Sequence, residues 1–112
     1  MTQSPATPTL LFIPSFEIYG HVLLLLDLYE DAKYMFELSI QQRMGRIQSI
    51  IGLARSHAML QNRKEADYFY KYIQDQLSGA DKNNPFVEEA QAWLESKGDH
   101  SAVHDLWKWP YL

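Results

Sequence analysis

Two histidines four residues apart, His100 and His104, are the pair in this sequence best spaced for chemistry. Residues i and i+4 share one face of a helix, so the two imidazoles would offer nitrogens to a single metal ion. The glutamate of the zinc-protease pattern is missing and no third ligand is indicated, so the expectation is a solvated or partly packed pair holding no metal. His57 falls at a core-facing phase and reads as a packed, hydrogen-bonded residue with no functional role. The acidic pairs Glu30-Asp31 and Glu88-Glu89 make no acid–base couple, because adjacent helical residues point about 100° apart; they suit helix starts. With no cysteine in the chain, thiolate catalysis, disulfides and zinc–cysteine sites are excluded. There is no glycine-rich phosphate loop and no serine in a nucleophile-elbow setting. The expectation is a protein that is not an enzyme and uses no cofactor.

A chain of 112 residues, 46% of them hydrophobic, is one domain's worth with enough apolar matter for a core. Its formal charge of −4 is spread among interspersed acids and bases, which leaves no basic stripe for phosphates and makes nucleic acid an unlikely partner. The opening MTQSPATPTLLFIPS has neither the basic start nor the apolar run of a secretory signal. The apolar stretch 22–26 is far shorter than the roughly 20 residues that span a bilayer, so no membrane partner is expected. The default expectation is a soluble, intracellular, cytoplasmic protein.

The elements that must position any site are helices. Residues 45–70 read as two amphipathic helices joined at Gln61 and Asn62: Ile47, Ile50, Ile51, Ala54, Ala58 and Met59 recur at threes and fours, then Ala66, Phe69, Tyr70 and Ile73. Asn62 with Glu65 is a plausible capping pair. Residues 1–13 form an arm, with 10–13 extended before Pro14. Ser15 is a natural N-cap for a first helix over 16–26. Asp27 and Glu30 suit the cap of a second helix, stopping near Gly45. Asn84-Pro85 starts a fifth, Lys97-Gly98 ends it, and Asp99 caps a sixth through Ala102, Val103, Leu106 and Trp107.

A shift of 34 residues superposes Ala66 on Ala32, Tyr70 on Phe36, Ala54 on Gly20, Leu53 on Tyr19 and Ile50 on Phe16. The resulting pattern, Phe16-x2-Tyr19-Gly20-x2-Leu23 with Ala32-x3-Phe36, then Ile50-x2-Leu53-Ala54-x2-His57 with Ala66-x3-Tyr70, resembles the tetratricopeptide repeat. The closing proline of that family is absent, Met44 and Ser78 standing in its place. The resemblance implies an all-α, right-handed array of antiparallel helix hairpins, about six helices, as one domain over 14–112. Repeats would cover about 13–46 and 47–80, with a degenerate repeat or cap over about 84–109. In that third pair Val103 aligns with Ala66 if three residues are inserted, and Ala102 if two are, which leaves the register open. The small residues Gly20, Ala32, Ala54 and Ala66 would sit where helices cross most closely.

The resemblance further implies a concave groove that takes a protein or peptide partner, lined by Glu17, His21, Leu24 and Leu25 from the first repeat and Gln48, Ile51, Arg55 and Met59 from the second. Arg55 would there meet a carboxylate. The subclass that clamps acidic chaperone tails needs lysine and asparagine where Glu17 and His21 stand, and asparagine where Gly52 stands, so that specificity is not expected. The alternative is a structural or self-associating segment of a larger array, its groove filled by its own arm or by another copy in a homo-oligomer. The first helix is apolar on two sides, with Tyr19, Leu23 and Leu26 expected to pack within the repeats and Leu24 and Leu25 to face the groove. Two segments suit a cover for it: residues 10–13, favoured by their short tether, and the aromatic tail Trp107, Trp109, Tyr111.

Overall fold

The computed structural model describes residues 15–42, 46–79 and 83–111. Over these the chain is six helices and no strand: α1 Ser15–Leu25, α2 Tyr29–Gln42, α3 Ile47–Met59, α4 Arg63–Gln76, α5 Pro85–Ser96 and the single turn α6 Ser101–His104. Each packs on the next in sequence, and α1 also lies against α3. The arm 1–13, the side chain of Ser15 and the expected stop at Gly45 lie outside the described residues.

Helix ends carry a repeat of their own. After α1 the amide of Leu28 bonds the carbonyl of Leu23 and that of Asp27 bonds Leu24; after α3 Asn62 bonds His57 and Gln61 bonds Ala58. These are Schellman closures, six-to-one and five-to-two, and each needs a left-handed residue at its centre. Asp27 and Gln61 take that role with φ of 61° and 60°. All of these positions recur at the 34-residue shift already visible in the side chains. Asp27 is therefore the turn and not the cap of α2; its carboxylate accepts from the Tyr29 hydroxyl at 2.9 Å. Nor does the Asn62 side chain cap α4, since its amide nitrogen stands 3.2 Å from Nδ1 of His57. Asn84 does cap α5, its oxygen accepting from the amides of Phe86 and Val87 with Pro85 behind it.

The core forms along α3, where every residue from Ser49 to Ala58 is buried. One apolar cluster gathers Ile50, Ile51, Ala54, Ala58, Ala66, Tyr70, Ile73, Ala90, Trp93 and Val103; a second joins Leu23, Leu24, Ala32, Phe36 and Leu53. The small positions work by closeness. A methyl group on Gly20 would come within 2.8 Å of the Phe36 ring, and one on Gly52 closer still, so the ring is clamped between α1 and α3. In the third pair α5 keeps the pattern 36 residues after the second, with Phe86, Ala90 and Trp93 matching Ile50, Ala54 and His57. The Lys97-Gly98 turn has two positive φ values in place of one, and the added residue lets Val103, fully buried, take the place of Ala66.

Two expectations about packing fail. On α1 the buried side is Glu17, Gly20, His21, Leu23 and Leu24, whereas Tyr19 and Leu26 are 54% and 61% exposed. At 100° per residue these two lie within 20° of each other and away from Leu24, so they cannot share its contacts. The sixth helix ends at His104; Leu106 is partly exposed and Trp107 leaves the helical path.

Candidate functional site

After α6 the chain turns back and crosses the face that α1 and α3 form together. Residues 107–109 carry no regular structure, and the segment to Tyr111 runs from the C-terminal end of α1 towards its start. Its cause is a chain of aromatic side chains too apolar to leave in water and Pro110, which cannot extend a helix. Trp107 lies over the Arg55 guanidinium, 5.3 Å from it, and Arg55 Nη2 donates to the carbonyl of Lys108 at 3.2 Å. Trp109 and Tyr111 meet the His21 ring edge to face at 6.0 and 5.9 Å. The Tyr111 hydroxyl donates to Glu17 Oε1.

Two ion pairs hold that face. Glu17, fully buried, takes Arg46 Nε and Nη2 in a two-point pair at 2.9 Å each, together with the hydroxyl of Ser49. The Ser49 hydroxyl has one proton and gives it to Glu17, so Ser39, 2.7 Å away, must donate to Ser49. Burial alone would raise the Glu17 carboxyl, but the hydrogen bonds from Arg46, Ser49 and Tyr111 outweigh it and hold the group below its usual 4.5. The second pair is Arg55 with Glu89, both buried: Nε lies 3.0 Å from Oε2 and Nη2 2.8 Å from Oε1. The Tyr70 hydroxyl adds a third donor at 2.6 Å, and burial together with Glu89 pushes its ionisation far up. Arg55 also stands 5.9 Å from the Phe86 ring.

His21 is 2% exposed and donates from Nε2 to the backbone carbonyl of Gln48 at 2.9 Å, with the Phe36 ring 4.6 Å away. Burial pulls its ionisation down to about 4, so at neutral pH it is an uncharged aromatic surface. Between tail and helices a cleft of about 320 Å³ remains, lined by His21, Leu24, Leu25, Arg55, Trp107, Lys108 and Trp109. The Trp107 indole N–H is buried without an acceptor among the described residues. An unpaired buried donor costs about 1–3 kcal/mol, so the tail is an imperfect occupant.

Of the residues expected to line the groove, Glu17, His21, Leu24 and Arg55 come together around the tail, while Gln48 reaches it only through its backbone carbonyl, which holds His21. Leu25 stands at the rim, 66% exposed. Ile51 is fully buried in the core. Met59 lines a different depression, with Asp27, Tyr29, His100 and His104. Arg55 is not open to a partner's carboxylate, because the chain's own Glu89 already fills its fork. Sequence reasoning missed Arg46, Ser49, Tyr70 and Glu89. Glu89, taken as a helix-start charge, sits inside the stripe of Phe86, Ala90 and Trp93, and a carboxylate within an apolar stripe was the available signal. His57 behaves as expected: it is 7% exposed, stacked on Phe69 at 5.7 Å, with burial lowering its ionisation. His104 meets Trp107 and the exposed Asp105, and no cluster of three metal-ligating side chains occurs among the described residues. No helix among them is long and apolar enough to cross a membrane. No protein-family model matches the chain, no curated protein matches its sequence, and no solved structure matches its fold.

Proposed function

We propose that this chain is a tetratricopeptide-like interaction module that binds a peptide or helix of a protein partner on the α1–α3 face and catalyses no reaction. One observation carries the reading: a stretch of the chain itself, residues 107–111, lies on that face as a bound peptide would, its backbone met by Arg55 and its side chains by Arg55, His21 and Glu17. A surface that sequesters a polypeptide through one backbone contact and several aromatic ones is built for recognition of that kind. Support for the repeat family comes from the turns, whose hydrogen bonds and left-handed residues recur 34 residues apart, and from the small residues set at the crossings. The test is to pan displayed random peptides on the full chain carrying Tyr111→Ala, which loosens the tail. Selected peptides should lose binding when Leu25, at the exposed rim, becomes glutamate. Failure to select any would remove the reading.

A second reading, a structural or self-associating segment of a larger array, is favoured by the apolar side of α1 that faces away from α2 and α3. Tyr19, Val22 and Leu26 are 54%, 38% and 61% exposed there. Light scattering during size exclusion separates the two: a concentration-dependent dimer that Val22→Glu dissolves favours self-association.

A further inference from the structure

Four features of the α1–α3 face restrict what it accepts. Both guanidinium groups that border it among the described residues are already engaged by buried carboxylates, Arg46 by Glu17 and Arg55 by Glu89, so neither is free to meet an incoming acid. Glu17 holds one oxygen towards the groove and, kept ionised by its donors, asks a ligand for a hydroxyl or N–H. His21, neutral and backed by Phe36, gives a ring that meets two aromatic side chains edge-on. Arg55 turns the second N–H of Nη2 to a backbone carbonyl and stands over an indole, reading the path of the ligand and not its charge.

We infer that ligands of this face are extended segments with the tail's own chemistry: aromatic residues at alternate positions, a proline, and a tyrosine whose hydroxyl donates to Glu17. The tail, Trp107-Lys108-Trp109-Pro110-Tyr111, is such a ligand held in cis, and a partner segment binds by displacing it. The proposal rests on the reading of this face as a peptide-binding surface. Two observations make displacement feasible. The tail leaves a cleft of about 320 Å³ beside Leu24 and Leu25, and its Trp107 N–H finds no acceptor among the described residues. A ligand that fills the first, or does without the second, holds the face better than the tail does. Acidic segments are disfavoured by Glu17, and phosphorylated tyrosine most of all, since phosphate would face a buried carboxylate.

The test uses a labelled synthetic peptide of residues 106–112 and the full chain, wild type and Trp109→Ala/Tyr111→Phe, with folding checked by circular dichroism. A tethered tail acts at an effective concentration of about 1 mM, so a peptide with a dissociation constant below about 0.1 mM binds the released variant at least tenfold more tightly than wild type. The peptide carrying Tyr111→Phe should bind the released variant several-fold more weakly, and the peptide with phosphotyrosine should not bind. If the double variant fails to fold, the single variant Tyr111→Phe replaces it, with a smaller gain over wild type expected. Should the tail peptide not bind while a displayed peptide of other chemistry does, the ligand class is wrong and the binding surface stands. Should neither bind, both fall. Equal affinity for wild type and released variant would show that the tail does not compete, and would overturn the cis-ligand inference.

Discussion

Replacing Arg55 by methionine removes the guanidinium and keeps much of the stem, which isolates what the charge does. Arg55 is 3% exposed and Glu89 fully buried, so the carboxylate left behind has the Tyr70 hydroxyl and no cation. Breaking a buried pair from one side costs about 3–5 kcal/mol, because the surviving charge stays desolvated. The tail adds to this: Lys108 loses a donor to its carbonyl and Trp107 its cation. For a domain of this size, with total stability of about 5–15 kcal/mol, that loss takes from about a fifth of the total to nearly all of it. In urea, with a slope of about 1–3 kcal/mol/M, the midpoint falls by at least about 1 M. Arg55→Glu sets a second carboxylate beside Glu89 and is worse. The decisive comparison is Arg55→Met/Glu89→Leu, which removes both charges and should be markedly more stable than either single change predicts by addition. If Arg55→Met shifts stability by less than about 0.5 kcal/mol, or if the two single effects simply add, the pair is not the buried contact described here.

Gly52→Ala drives a methyl group into the clamped Phe36 ring; overpacking costs about 1–3 kcal/mol against a helix-propensity gain of about 1 kcal/mol, so a net loss is expected in urea unfolding. Phe36→Leu in the same chain should relieve part of the clash, while Gly79→Ala, where an added methyl meets nothing within 4 Å, should be near neutral. Free histidine takes up its proton near 6.5 and folded His21 near 4, so between those values the unfolded state binds more protons and stability falls as pH falls. The full loss is about 3 kcal/mol by pH 4, and Glu17, held below its usual value, adds to it as acid reaches its lowered range. His21→Gln, which keeps an N–H for Gln48, should flatten stability measured between pH 6.5 and 4. Tyr111→Phe removes one donor to Glu17 at a cost of about 1 kcal/mol and should shift tryptophan emission to the red as the tail loosens.

The helices were legible because they are encoded by nearby residues, whereas the roles of Asp27 and Asn62 in the turns were not. Ala32 and Ala66, Phe36 and Tyr70 repeat at one spacing, Asn84-Pro85 opens a helix, and Lys97-Gly98 closes it. What the spacing could not give is which side of α1 faces its neighbours. That helix is apolar on two sides, so Tyr19 and Leu26 look as suited to burial as Leu24, and only the seating of Phe36 against Gly20 and Gly52 decides. The polar contacts were hidden for another reason. Glu17 meets Arg46 across 29 residues and Arg55 meets Glu89 across 34, pairings set by the crossing of helices and not by any local pattern. The aromatic tail was recognised as a segment that needed cover, but its destination is set by contacts with Glu17 and Arg55, residues 94 and 53 positions away. Residues 10–13, the favoured cover, lie outside the described residues.

The claim that a polypeptide segment occupies the α1–α3 face, and that a ligand replaces it there, can be observed directly by NMR on the full chain. Without ligand, nuclear Overhauser contacts are expected between the ring protons of Tyr111 and Trp109 and those of His21, whose ring centres lie 5.9 and 6.0 Å apart. On addition of a saturating peptide selected by display, those contacts should vanish, the tail resonances should move to unstructured positions, and new contacts should join the peptide to His21. A tail that is unstructured without ligand, or one whose contacts with His21 persist while the peptide is bound elsewhere, would contradict the account.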